Sequence, residues 1–168
     1  MTGFTSFNFF SLRTAKPNSS LEKIKRSFAL TIIFFAVLFI LLNNIGDLNN
    51  IKSIKIAGQD IKVELALTSE EQIRGLSGRT SLEDNAGMLF IFSNSGEHFF
   101  WMQEMNFPID IIWFGGNKQI IYIKQNAQPE NFPETYGPAQ DSKYVLEVPA
   151  GFADRHNFKI GDRVKFVY

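Results

Sequence analysis

No cysteine occurs among the 168 residues, which excludes thiol nucleophiles, disulfides and thiolate metal sites together. The compartment stays open, because exported domains also manage without disulfides. Histidine is nearly absent, with two copies, and neither has an obvious partner. No Gly-x-Ser-x-Gly elbow accompanies them, so a serine hydrolase is poorly supported. Neither Gly-x-Gly-x-x-Gly nor a phosphate loop occurs, which argues against nucleotide binding. Neither sign of charge prevails: seventeen Lys and Arg balance seventeen Asp and Glu, without the basic clustering of nucleic-acid binders. There is no internal repeat. What the chain has in plenty is phenylalanine, eighteen copies, enough apolar volume for a core without staples. Its length suggests one domain plus an appendage.

One long run lacks charge altogether: "FALTIIFFAVLFILL", Phe28 to Leu42, with Thr31 as its one weakly polar member. Counted on through Ile45 it spans roughly 27 Å as a helix, enough for a thin membrane. A buried core helix should carry a polar stripe, and this run has none. A cleaved signal peptide needs small residues at its cleavage site, where "LLNNIGDLNN" offers Asn, Ile and Asp, and its basic leader is normally shorter. An uncleaved anchor is preferred, with the cleaved signal as its alternative. Arg13, Lys16, Lys23, Lys25 and Arg26 precede the run and Asp47 follows it. The positive-inside rule then keeps the N-terminus cytoplasmic and the C-terminal domain extracytoplasmic. The expected plan is a disordered basic tail over 1–27, a single-pass transmembrane helix over 28–45, a linker over 46–52 and an exported domain over 53–168.

That domain opens with "SIKIAGQDIKVELALT", where Ile54 and Ile56, then Ile61, Val63, Leu65 and Leu67, alternate with polar residues around a Gly58-Gln59 turn. The pattern is a hairpin with one buried face. Thr68 and Glu71 fit a capping box and Gly75 a helix stop, so a helix of about two turns follows. Further strands are expected at "GMLFIF", "HFFWM", "IDIIWF", "KQIIYIK", "YVLEV" and "RVKFV", divided by Gly, Asn and Pro turns. Residues 125–142, with three prolines, read as a long surface loop. About eight short strands and one or two short helices predict a mostly β fold, a compact antiparallel sandwich or barrel.

In order along the chain stand "RGLSGR", "GMLFIF", "FFWMQEMNFPIDIIW", "VLEVPAG" and "IGDRVKF". Together they resemble the domain-of-unknown-function family 192, also called uncharacterised protein family 0127, from about residue 54 to the C-terminus. Gly75, Leu76 and Arg79 fit the family's Gly-Leu-Met-x-Arg, with Ser77 in place of the methionine. Gly87 to Phe90 fit its Gly-Met-Leu-Phe. Trp101 and Met102 fit its Trp-Met-Lys-Asn-Thr, but Gln103, Glu104 and Met105 replace the last three residues. Pro108, Asp110, Leu146, Glu147, Ala150 and Gly151 match again. The resemblance implies a mostly β fold, often exported or membrane-tethered, and no established activity. Loss of Lys-Asn-Thr removes a cation and two hydrogen-bonding side chains.

Six residues are the candidates for a site. Arg74 and Arg79 flank a glycine-containing turn and suit a carboxylate, phosphate or sugar acid; the plainer reading pairs them with Glu147, Asp110 or Glu71. Glu147 shares a strand face with Val145, so it must be paired, protonated or at an edge. With Glu104 or Asp110 it would form the two-carboxylate set of a glycoside hydrolase. Trp101 suits a planar ligand, although packing between Trp101 and Trp113 across "HFFWM" and "IDIIWF" is the plainer expectation. His98, Met102 and Met105, with Met88 and His156, make a poor copper set, and methionines beside Phe and Trp read as core filler; Asp162 reads as a turn residue. No metal or cofactor is expected. The leading function is a non-catalytic module at the cell envelope that binds a small molecule, glycan or protein. The alternatives are a small extracytoplasmic hydrolase and a structural partner in a membrane complex.

Overall fold

A computed structural model describes residues 19–168, apart from the side chains of residues 19, 21–23 and 41–47. The chain divides into two units, Met1–Asn44 and Ile45–Tyr168. Residues 1–18 of the expected tail lie outside the described residues. Helix α1, Ser19–Leu48, begins inside that tail, where "LEKIKRS" offers good helix formers ahead of the apolar run. Its side chains from Ile24 to Ile40 are exposed, with Phe28, Ile32, Phe34 and Phe39 among them. Among the described residues no helix is long and apolar enough to cross a membrane. The side chains of Leu41 to Ile45, the end of the expected span, fall outside that description.

In the second unit, strands β1 (Ser53–Ile56) and β2 (Gln59–Ala66) form the expected hairpin, with Ile54 opposite Ile61. The turn is Ala57-Gly58, one residue earlier than expected. Both residues have positive φ, 47° and 86°, as a two-residue turn matching the strand twist requires. Helix α2, Ser69–Arg74, has the predicted capping box: the Glu71 amide donates to Thr68 Oγ1 at 3.2 Å and the Thr68 amide to Glu71 Oε2 at 2.9 Å. Strand β3, Ala86–Gly96, then runs parallel to β2, with Leu65 opposite Leu89. The all-antiparallel expectation is therefore corrected. Residues 67–85 form a crossover, which a parallel neighbour needs and a hairpin does not; side-chain alternation is the same in either direction.

After the short β4, Phe100–Trp101, come β5 (Ile109–Phe114), β6 (Ile120–Ala127), β7 (Thr135–Tyr136), β8 (Ser142–Pro149) and β9 (Val164–Val167). The long loop is less open than expected. Strand β6 continues to Ala127, and β7 pairs with β4 as a separate ribbon. The main sheet has the order β6-β5-β8-β3-β2-β1-β9. Its two ends meet at a bridge between Gln119 and Arg163 and through Val164 N–H donating to Lys118 O at 3.0 Å. The result is a curled, mostly β half-barrel, closer to the barrel than to a two-sheet sandwich. Asp162 is the expected turn residue and accepts from the Lys159 amide at 2.8 Å.

Strand β5 is buried along its whole length, so alternation along it divides two cores. Ile112 and Phe114, with Leu146, Val148, Leu89 and Ile91, belong to one. Ile109, Ile111 and Trp113, with Val145, Met88 and Phe90, belong to the other. Each such side chain contributes about 1.5–3 kcal/mol on burial. The second core is roofed by Leu76, Met102 and Tyr136 from the connections, and the site is cut into that roof.

Candidate functional site

Glu147 lies on the face of the second core. In the β8 register it stands opposite Met88 of β3 and Ile111 of β5, two positions from Val145. A cleft of about 320 Å³ opens over this face, between α2 with its following loop and residues 97–105. Phe90, Phe92, Phe99, Phe100, Trp101 and Met105 make its apolar walls. Phe90 meets Phe100 edge-on at 4.9 Å, and Phe92 stacks on His98 at 3.5 Å. Glu147 closes the cleft at its floor. It is 4% exposed, and its Oε2 is buried without a hydrogen-bond partner among the described residues. Burial pushes its carboxyl up to about 8, and the positive charge of Arg79 only partly opposes the rise. The floor is therefore mostly uncharged at neutral pH.

Two glycines make this geometry possible. Gly75, the cap of α2, has φ 48°, and a Cβ there would stand 3.4 Å from Phe90 Cζ and 3.8 Å from Glu147 Oε2. A Cβ at Gly87 would stand 2.7 Å from the Glu147 carbonyl oxygen, so only glycine lets β3 approach β8 there. Gly75 was legible as a helix stop. Its place beside the carboxyl was not.

The arginines separate. Arg79 donates twice to Glu64, Nη1 to Oε1 at 2.6 Å and Nη2 to Oε2 at 2.7 Å. It is thus a structural pair, with Glu64 rather than Glu147, Asp110 or Glu71. Those hydrogen bonds raise the guanidinium's proton affinity and lower that of the Glu64 carboxylate. With 34% and 57% of their side chains exposed, the two contribute at most about 1 kcal/mol. Arg74 lies at the mouth of the cleft. Among the described residues no salt bridge holds its guanidinium; its charge acts on Glu71 one turn back, where it adds to the lowering due mainly to the backbone amides of Thr68 and Leu67.

Asp110 does not belong to this cleft. It pairs with Val148 of β8, so its side chain points to the opposite face from Glu147, whose partner is Ile111. It is fully buried and accepts from the amides of Asn126 (2.8 Å), Gly151 (3.1 Å) and Ala153 (2.9 Å). The last two lie at the start of the short helix α3, Phe152–Arg155, so Asp110 caps it from a distant strand. Glu104 is exposed in the 103–106 turn with φ 55°. No hydrogen bond joins Glu104, Asp110 and Glu147 among the described residues. Asp110 turns away from Glu147 and Glu104 does not line the cleft, so neither supplies the second carboxylate of the alternative hydrolase reading there.

The tryptophans do not pack on each other either. Trp113 is fully buried, edge-on to Phe100 at 5.7 Å, and its Nε1–H donates to His98 O at 2.8 Å. Trp101 is half-exposed at the mouth. Strand β4 pairs with β7 rather than β5, which is why the two rings part. Met102 is core, as expected, and burial lowers the proton affinity of His98. The "QEMN" turn is tied to the "RGLSGR" loop: Gly78 N–H donates to Glu104 O at 2.8 Å, Ser77 Oγ to Gln103 O at 2.9 Å, and Asn106 Nδ2 to Arg79 O at 2.8 Å. Phe90, Phe92, Phe100 and Ser77 were missed as site residues. The available signal was that Phe90 and Phe92 alternate on one face of β3.

The fold and the cleft define a half-barrel β domain with an aromatic-walled recess that ends on a buried carboxyl. The chain belongs to DUF192, the uncharacterized ACR family, which matches residues 52–166. A UPF0127 protein of Thermococcus sibiricus is 30% identical over 108 residues, 61% of this chain and 64% of that protein. The match thus spans just under two thirds of that relative's length. A solved protein of unknown function from Novosphingobium aromaticivorans is similar at 34% identity and a TM-score of 0.65, covering 68% of this chain and 84% of its own. A Sinorhizobium meliloti protein, provisionally described as a transcription regulator, is similar at 28% identity and a TM-score of 0.65, covering 68% and 92%.

Proposed function

We propose that this domain is a small-molecule-binding module that works without covalent chemistry, held on the extracytoplasmic side of a membrane by residues 28–45. The observation that carries the binding reading is Glu147 Oε2, buried without a hydrogen-bond partner among the described residues at the floor of an aromatic cleft. Leaving such a group unsatisfied costs about 1–3 kcal/mol, a cost that a bound polar group offsets. Aromatic walls with polar groups converging on them, Gln72, Ser77 and Arg74 besides Glu147, are the makings of a ligand pocket. Paired-carboxylate hydrolysis loses support because Asp110 faces the other core. Seventeen basic against seventeen acidic residues give no reason to carry over the Sinorhizobium protein's description.

The membrane reading rests on the uncharged run, its basic N-terminal flank and the exposed apolar side chains of α1. A C-terminal reporter that is active only in the cytoplasm overturns it. The binding reading is tested by an NMR fragment screen on the full chain in detergent micelles. Small aromatic and heteroaromatic fragments are expected to shift the amides of Gly75, Phe92 and residues 99–105 on one saturable isotherm. Fragments that bind nowhere, or only beside Lys62 and Ser81 at the second recess, refute it.

A further inference from the structure

The chemistry of the cleft floor restricts what can sit on it, provided the small-molecule reading above holds. A protonated carboxyl offers one O–H donor and one carbonyl acceptor side by side. Among the described residues no hydrogen bond takes up Oε2, and the neighbours of Glu147 in the sheet, Met88 and Ile111, are apolar. The charged and titratable groups around it come from every bordering element. Arg79, in the loop after α2, acts on Glu147 through its charge, but both of its terminal nitrogens are engaged by Glu64 of β2. Arg74 of α2 stands at the mouth, as do Glu97 and His98 from the connection after β3. Burial works against protonation of His98. One cation and one anion thus border the mouth, while the interior is neutral and walled by rings. Burying a net charge there would be costly without a fixed counter-charge.

We propose that the cleft binds a planar, uncharged heterocycle through a lactam edge, a ring N–H beside a C=O, which pairs with the Glu147 carboxyl while the ring lies among the aromatic walls. The N–H donates to one carboxyl oxygen and the C=O accepts the carboxyl proton, so both partners are satisfied by two parallel hydrogen bonds. A volume of about 320 Å³, at the small end of ligand pockets, suits one or two fused rings. Arg74 is left to take any anionic substituent at the mouth.

The probes are 2-pyridone, N-methyl-2-pyridone and benzyltrimethylammonium, titrated into the full chain in micelles and read from the Gly75 and Met105 amides. In the wild type, 2-pyridone binds at least about tenfold more tightly than its N-methyl analogue, which has lost the donor. Its affinity falls by about tenfold or more from pH 6.5 to 9.5 as the carboxyl ionises. Glu147→Gln, whose carboxamide keeps a donor and an acceptor, retains binding with no pH dependence. Glu147→Leu loses the preference for the N–H; if it fails to fold, the Gln variant carries the test. Equal binding of both pyridones, unchanged in Glu147→Gln at either pH, overturns the lactam edge but leaves the binding cleft standing. Preference for the ammonium ion also overturns it, in favour of a cation paired with ionised Glu147. If no probe shifts these amides the lactam edge falls, and if the fragment screen is also silent there the binding cleft falls with it.

Discussion

Glu147→Gln should make this domain more stable near neutral pH, although it alters the floor of the proposed site. The carboxyl has an ordinary value of 4.5 and is raised by burial to about 8. For an acid whose folded value is raised, the folded state holds the proton through a range where the unfolded chain has released it. Stability is then greatest below 4.5 and falls as pH rises through about 8. At about 1.4 kcal/mol per pH decade, the loss is about 5 kcal/mol across the window and about 3 kcal/mol by pH 7. Glutamine carries no titrating proton and escapes it. For a domain of this size the variant should melt roughly 10 °C higher than wild type at pH 8 and nearly level with it at pH 4.5. Asp60, Glu64 and Glu71, whose values are lowered, act at more acid pH and are common to both proteins, as is His98. The difference between two melting curves, followed by circular dichroism from pH 4.5 to 9, therefore isolates Glu147. Parallel profiles for the two proteins would refute the reasoning, because a carboxyl with a partner or access to water has no such slope.

Three further outcomes follow from the same contacts. Asp110→Asn should cost about 3 kcal/mol in urea unfolding, since three backbone amides lose a charged acceptor, while shifts caused by fragments at Gly75 persist. Trp113→Ala should cost about 3–5 kcal/mol, whereas Trp101→Ala, at a half-exposed position, should stay within about 1 kcal/mol; equal losses would return both rings to one core. Arg79→Ala removes the one positive charge that lowers the Glu147 value, so the midpoint of the Glu147 carboxyl ¹³C signal should move up from about 8, and a downward move would contradict the placement of Arg79.

Much of the fold was legible because the physics is local. The Thr68–Glu71 box, the Gly75 stop, the first hairpin and most strand positions rest on periodicity and capping within a few residues. The candidate site was legible only in part. That Glu147 on an apolar face must be paired, protonated or at an edge followed from its neighbours; choosing among these needed β3 and β5 on either side of it. Arg79 was expected in an ion pair, yet Glu64 lies on a strand that reaches it only through the parallel crossover. Asp110 and Glu147 looked like candidates for one set because sequence order carries no strand register. A one-residue difference in pairing puts them on opposite faces.

By itself the sequence determined that this chain has a charge-free N-terminal run, no thiol chemistry, a strand-rich domain and a carboxyl that needs explaining at Glu147. These are properties of composition and of neighbours along the chain. Only the tertiary structure decided that β2 and β3 run parallel, that Trp101 faces the cleft mouth while Trp113 is buried, and that Asp110 caps α3 while Glu147 Oε2 has no hydrogen bond among the described residues. Each of those depends on pairing between strands distant in sequence, where register and direction decide which side chains share a face.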